Sequence, residues 1–227
     1  MKAKYLFFSA LIPAALAVSA YIYRNSFHAD NLFLIEGVAF TCGVICALAY
    51  LASPKNNRAV LLLTAAFIFS IMGDFYFRKH DANSGLIMGG FFFLLAHIGF
   101  SIYCLTKVKF SWFIFAVIAI PYVIWYFTVL MPSDRLRSGG FLAFAVFLYL
   151  IASCFSFSVS IDLKNGSIAS WIFTAGIACI LVSDSFIAAR SFLDNRRFAF
   201  LIMPLYYLCH ILIALSVTLR PAPGIRR

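Results

Sequence analysis

Eight long apolar runs divide this sequence, and they constrain its fold more than any other feature. The runs cover residues 5–23, 32–52, 59–77, 86–106, 110–130, 139–161, 168–189 and 198–219. Each is close to the roughly 20 residues that an α-helix needs to cross the hydrocarbon core of a bilayer. The sequence therefore predicts an all-α membrane protein, a single bundle of eight transmembrane helices.

The segments between these runs are short and rich in charged or turn-forming residues, such as SPKNNR and DLKNGS. No soluble domain fits into linkers of this length, and neighbouring helices must pack antiparallel. We therefore expect residues 1–227 to form one transmembrane domain. The basic start and AVSA ending of the first run also resemble a cleaved signal peptide. A multi-span protein inserts through its first helix, so a retained span is the favoured interpretation.

The basic residues have a distribution that is typical of membrane proteins. The formal net charge is +10, but the Lys and Arg residues occur singly or in pairs between apolar runs. There they suit phospholipid headgroups, whereas a nucleic-acid-binding protein gathers them on one soluble face. Ten lie on the side of the N-terminus and eight on the other side, which favours cytoplasmic termini. We expect a bacterial inner-membrane protein with lipid partners and no nucleic-acid partner; the sequence leaves the oligomeric state open.

The cysteines and histidines do not indicate a metal site. All six cysteines fall inside apolar runs, where thiols act as small apolar side chains. Cys42 and Cys46 share a helix face, but there is no histidine near them to complete a site. We therefore expect no metal.

Three of the eight acidic residues, Glu36, Asp74 and Asp184, lie within apolar runs. A charged side chain inside the bilayer costs several kcal/mol, so such residues usually face the protein interior and mark a functional site. Asp74 precedes Arg78 by about 6 Å and Asp184 precedes Arg190 by about 9 Å along a helix. All three acids are thus predicted near one membrane face. The helix dipole favours Glu36 near the start of its helix, so Glu36 is equally a capping group, whereas the dipole opposes both aspartates.

A weak internal symmetry relates the two halves of the chain. Asp74 is followed 23 residues later by His97, and Asp184 is followed 26 residues later by His210. The spacing suggests two parallel four-helix repeats related by an axis along the membrane normal. Such repeats would bring both aspartates to one central cleft. A single histidine in a helix is more often a packing residue, but two at matching positions favour a site.

Two carboxyl groups at one cleft can divide the work of general acid and general base. In a bilayer, the substrate of such a pair is a lipid that enters from the side. Arg78 and Arg190 are placed to meet its phosphate, or they merely anchor their helices at the membrane surface. The sequence contains no G-x-S-x-G elbow, H-E-x-x-H motif or glycine-rich phosphate loop.

Two other classes of function remain open at this point. A proton-coupled transporter also uses intramembrane acids and repeats, and its expected sign is a helix interrupted by Gly or Pro near the acids. The internal prolines Pro13, Pro121 and Pro204 are far from the acids in sequence. A non-catalytic lipid-binding or scaffold protein is the third class.

Four segments carry a resemblance to a known family. They are GDFYF at 73–77, GGFFFLLAHIGF at 89–100, SDSFIAARSF at 183–192 and PLYYLCHILIALS at 204–216. In order and spacing they resemble the YhhN family, which includes lysoplasmalogenases. The resemblance implies hydrolysis of the vinyl ether bond of a lysoplasmalogen, giving a fatty aldehyde and glycerophosphoethanolamine or glycerophosphocholine, without a cofactor.

The resemblance also implies residue roles. It assigns catalysis to Asp74 and Asp184, with a lysophospholipid as the substrate. We expect substrate-binding side chains from the same region: His97, Glu36, Arg78, Arg190, Tyr207 and His210.

The sequence departs from the family pattern in three places. Residues 32–40 have Glu36 and no proline where relatives commonly carry a Lys-Pro pair. Phe100 replaces a frequent Tyr, and His210 stands where a Gln is common. These changes leave the headgroup and chain specificity open.

Overall fold

The apolar runs fold into α-helices because backbone groups within hydrocarbon must find hydrogen-bond partners inside their own segment. A computed structural model describes residues 10–27, 32–52, 58–79, 82–163 and 167–219. The helices in these ranges are α1 Leu11–Phe27, α2 Leu32–Ala52, α3 Val60–Lys79, α4 Ala82–Leu105, α5 Trp112–Trp125, α6 Asp134–Arg137, α7 Gly140–Asp162, α8 Ile168–Leu193 and α9 Ala199–Thr218.

The prediction of an all-α membrane bundle is confirmed. Seven of the described helices are long and apolar enough to cross a membrane, and α1 adds a shorter apolar segment, Leu11–Arg24. The predicted first span begins at residue 5, which lies outside the described residues. The part that is described is helical and packs against α2 and α9. The chain is a multi-pass membrane protein.

The helix packing has the pattern that two related halves predict. The helix α3 packs along α4 and α2, and α8 packs along α9 and α7. The halves meet through α4 against α7 and through α9 against α2. The helices α1, α2, α3 and α4 correspond to α5, α7, α8 and α9. Exchanging each helix for its counterpart reproduces the same helix pairs. The first helix of each half is placed differently. The helix α1 packs against α2 and also against α9, whereas α5 packs against α7, the counterpart of α2.

Glycines permit close approach within the two main helix pairs. A Cβ atom on Gly73 would lie 2.7 Å from the ring of Phe93, so α3 and α4 pack closely beside Asp74. In the other half, a Cβ on Gly176 would lie 3.1 Å from the carbonyl oxygen of Cys209. Small residues at such positions are the usual means of close helix packing in membranes. The five buried cysteines and the half-buried Cys179 are free thiols of the interior.

Irregular helix geometry lies outside the two helices that carry the aspartates. The helix α5 contains Pro121 and continues into a π-helical turn, Tyr126–Leu130. The Tyr126 hydroxyl donates a 2.7 Å hydrogen bond to the carbonyl of Ala143, which joins this turn to α7. Pro204 lies within α9. The helices α3 and α8 have no proline over their described lengths and continue through Asp74 and Asp184.

Candidate active site

A cavity of about 840 Å³, here called the polar chamber, lies where α1, α3 and α8 end. Asp74 and Asp184 both line it, as the predicted convergence of the two halves requires. Four arginines from α1, α3, α6 and α8 line the same space: Arg24, Arg78, Arg135 and Arg190. The chamber therefore combines two carboxyl groups with a surplus of guanidinium groups.

Asp184 is held by side chains from two other helices. Its Oδ2 atom accepts a 2.9 Å hydrogen bond from the Tyr149 hydroxyl and a 3.2 Å bond from the Ser153 hydroxyl, both on α7. The Nε2 atom of His97, on α4, lies 3.3 Å from the same oxygen and 3.0 Å from Ser153 Oγ. His97 is 1% exposed, and its Nδ1 has no hydrogen-bond partner among the described residues. A proton on Nε2 makes all three groups donors to Asp184.

Two further hydroxyl groups fix α8 on either side of Asp184. The Ser183 hydroxyl donates to the carbonyl of Ile202 on α9 at 3.0 Å. The Ser185 hydroxyl lies 3.3 Å from the hydroxyl of Tyr122 on α5. Asp184 thus sits on a segment that contacts four neighbouring helices through polar side chains, α4, α5, α7 and α9.

Asp74 has a simpler environment. It is 5% exposed, and its Oδ2 atom accepts a 2.7 Å hydrogen bond from the hydroxyl of Tyr206 on α9. The ring of Tyr206 packs edge-to-face against Phe93, which holds the hydroxyl in place. Glu36 and Arg78 are its charged neighbours. Among the described residues, one hydrogen-bond donor serves Asp74 where three groups surround Asp184.

Two of the four chamber arginines have contacts that hold them against its wall. The Arg135 Nη1 atom donates a 3.1 Å hydrogen bond to the carbonyl of Ser191, and its guanidinium lies over the ring of Phe192. Arg78 approaches the sulfur of Met203 at 3.6 Å. Guanidinium groups bind phosphate through paired, charge-assisted hydrogen bonds. The arrangement is suited to an anionic group within reach of both aspartates.

A second cavity of about 560 Å³, here called the lateral groove, runs between α4, α7 and α8. Apart from Asp184 and Tyr149 its wall is apolar, with side chains such as Phe91, Phe144 and Leu148. The groove and the polar chamber adjoin, because they share five lining residues: Phe77, Leu86, Phe93, Asp184 and Ile187. Asp184 is therefore the carboxyl group at the junction of a polar space and an apolar one.

Four of the six residues expected from sequence to bind substrate line neither cavity; His97 contacts Asp184 all the same, and the other three lie farther away. Glu36 is half-buried near Arg78, and its Oε1 has no hydrogen-bond partner among the described residues. Tyr207 and His210 are buried and line neither the chamber nor the groove. His210 packs its ring 5.3 Å from that of Phe67. The structure places Tyr206, one helical turn before His210, beside Asp74.

Sequence reasoning missed several residues of the site. Tyr149 and Ser153 lie four residues apart on one face of α7, a polar pair within an otherwise apolar stretch. Tyr206 lies inside the motif PLYYLCH, where two neighbouring tyrosines point in different directions. Arg24 and Arg135 flank other helices, and only tertiary packing brings them to the chamber. Among the described residues, no group of three or more His, Cys, Asp or Glu side chains could hold a metal ion.

Comparison with protein-family models matches residues 37–217 to the YhhN family. The match covers most of the chain and includes both aspartates, so the chain belongs to this family. Comparison with curated proteins and with solved structures finds no match.

Proposed function

For this member of the YhhN family, we propose that the polar chamber hydrolyses the vinyl ether bond of a lysoplasmalogen within the membrane. One observation carries the proposal. The arginine-lined chamber and the apolar groove meet at Asp184, and Asp74 lines the same chamber. A lysolipid has the matching form, with a phosphate-bearing head, a single apolar chain and the vinyl ether bond between them.

The two carboxyl groups have different surroundings, and this suggests their roles. Hydrogen bonds that are donated to a carboxylate stabilise its charged form. Asp184, with Tyr149, Ser153 and His97 around one oxygen, is suited to act as the carboxylate. Asp74, buried and with one donor among the residues that the structure describes, is suited to carry the proton. This division parallels the acid and base of glycoside hydrolysis, which also passes through an oxocarbenium ion.

The reaction then follows in balanced steps. Asp74 donates its proton to the outer vinyl carbon, and the ether-bearing carbon becomes an oxocarbenium ion. Asp184 takes a proton from a water molecule as that water attacks the ether-bearing carbon, which gives a hemiacetal. The hemiacetal collapses to a fatty aldehyde as its hydroxyl proton passes to the departing glycerol oxygen. Proton exchange between the two carboxyl groups restores the starting state, and no cofactor takes part.

The arginines of the chamber bind the phosphate of the headgroup in this proposal. Guanidinium groups neutralise the phosphate and orient the glycerol, so that the vinyl ether lies beside Asp184. The products are a fatty aldehyde and glycerophosphoethanolamine or glycerophosphocholine. We propose that both termini lie in the cytoplasm of a bacterium. The helix α1 would then start at the cytoplasmic face and end beside the chamber, so the chamber would lie at the opposite face of the membrane.

The first test is aldehyde release from a lysoplasmalogen by the purified full-length protein in detergent. The same lysolipid with a saturated ether is the substrate control, and Asp184→Asn is the protein control. We expect aldehyde from the vinyl ether alone, and none from a folded Asp184→Asn protein. No aldehyde from folded wild-type protein would rule out this substrate.

A further inference from the structure

We infer that the lateral groove binds the hydrocarbon chain of the substrate and is the route by which the lysolipid enters from the bilayer. This inference rests on the proposed function and adds the location of the chain. It commits to one occupant, a single hydrocarbon chain whose polar head lies in the polar chamber.

The outer rim of the groove is open to the surroundings of the bundle. Five of its lining side chains are exposed large hydrophobic groups: Met88, Phe91, Phe141, Phe144 and Leu148. In a membrane protein such side chains face lipid tails. Lipid tails are as apolar as the side chains, so the hydrophobic effect does not drive their burial. A chain can therefore pass from the bilayer into the groove between α4 and α7 without crossing water.

The inner end of the groove lies at the proposed reaction site. Asp184 and Tyr149, which share a hydrogen bond, both line it. Phe93 and Ile187 line both the groove and the chamber. A chain in the groove therefore puts its head end beside Asp184, where the lysolipid passes from apolar to polar surroundings.

Small residues on the two facing helices leave the space that the chain would fill. Gly90 on α4 lines the groove, and a Cβ atom built on it meets nothing within 4 Å. Ala145 on α7 lines the same groove. The volume of about 560 Å³ lies within the range of roughly 300–1,000 Å³ that small-molecule sites occupy.

The test narrows the groove without disturbing the reacting groups. In Gly90→Leu the new side chain enters open space and also favours the helix, so the protein is expected to fold. Gly140→Leu is the matched control, because Gly140 also has nothing within 4 Å of its built Cβ and lines neither cavity. We expect Gly90→Leu to lower kcat/KM for a long-chain lysoplasmalogen about tenfold or more, while a short-chain analogue and Gly140→Leu stay near wild type.

A second measurement does not depend on turnover. A saturated-ether lysolipid with a photoreactive diazirine at the end of its chain is irradiated with the full-length protein, and the labelled peptides are identified. Labelling within the segments that line the groove, 86–94, 141–149 and 184–192, that is lost in Gly90→Leu supports the inference. Labelling elsewhere, or labelling and chain-length preference that are unchanged in Gly90→Leu, would overturn it.

The two experiments separate failure of the inference from failure of the proposed function. Aldehyde release by wild-type protein with no labelling of the groove leaves the function standing and removes the chain site. Groove labelling by the saturated analogue without aldehyde release removes the vinyl ether reaction and retains a lysolipid site. Equal groove labelling by a two-chain phospholipid overturns the inference, because it identifies the groove as a general lipid contact.

Discussion

Asp74 and Asp184 occupy matching helices of the two halves, yet their surroundings differ. Asp184 is surrounded by three polar groups from α4 and α7 and lies at the junction of the two cavities. Within the described part of the chain, Asp74 has one hydroxyl donor and lines the polar chamber but not the groove. The repeated helix arrangement brings the two carboxyl groups together, and the residues around each one determine what it does.

The first helix of each half, α1 or α5, also has different contacts in the two halves. In the first half, α1 packs against both α2 and α9. Its counterpart α5 packs against α7, and no residue of α5 lines the lateral groove between α4 and α7. The interface between α4 and α7, which α5 does not line, is the one that leads to Asp184.

The largest effect is expected when either carboxyl group is replaced. Asp74→Asn and Asp184→Asn should each lower aldehyde release by at least about a hundredfold, because each removes a proton-transfer group. Aldehyde release by purified, folded variants checks this, with gel-filtration profiles as the control for folding. Full activity in one of them would show that a single carboxyl group suffices and that the comparison has no catalytic meaning.

The hydroxyl donors give the next largest effect and distinguish the two sites. A hydrogen bond to a charged group contributes about 1.5–3 kcal/mol and a neutral one about 0.5–1.5 kcal/mol. Tyr149→Phe should therefore lower kcat about tenfold or more, and Tyr206→Phe by only a few fold. Steady-state kinetics of the two variants measures the difference. A larger loss in Tyr206→Phe would exchange the proposed roles of the aspartates.

The chamber arginines should affect binding more than the chemical step. Arg190→Gln is expected to raise KM about tenfold with little change in kcat, because it removes a cation that lines the chamber. Arg196→Gln is the matched control, since Arg196 forms an exposed ion pair with Asp194 at 3.1 Å, and such pairs contribute about 0–1 kcal/mol. A fall in kcat alone for Arg190→Gln would argue against a headgroup contact.

The smallest effect is expected at His210, although its position in sequence parallels that of His97. His210→Gln should leave kcat/KM within about twofold of wild type, because its ring lines neither cavity and contacts the site through Tyr206. His97→Gln should lower kcat several fold, because it removes a polar neighbour of Asp184. Equal losses in the two variants would restore the symmetric role that the sequence suggested.

The sequence predicts the helices well because long apolar runs have one stable form in a bilayer. The run at 168–189 identifies α8, but the helix continues past Arg190 to Leu193 and ends where Asp194 adopts a left-handed conformation, φ 47°. The short helix α6 carries no comparable hydropathy signal, and the apolar run at 110–130 does not indicate that its last turn is π-helical. Their geometry depends on contacts such as Tyr126 to Ala143.

The two aspartates were predictable because a carboxyl group within a bilayer is costly. Tyr149, Ser153 and Tyr206 were not, because hydroxyl side chains are common in membrane helices and only packing shows which of them meet a carboxyl group. His210 was expected at the site but lines neither cavity, and the reason is related. Matching positions in sequence do not fix the rotation of a helix, and in α9 it is Tyr206 that meets Asp74.

If the proposed reaction takes place, the contact between the chamber and the groove has a consequence for the two products. The aldehyde remains attached to the apolar chain and can diffuse back into the membrane through the groove, between α4 and α7. The proposed glycerophospho fragment is water-soluble and would leave through the chamber, past the arginines that line it. Under the proposed function, the two products would therefore leave through different cavities into different phases.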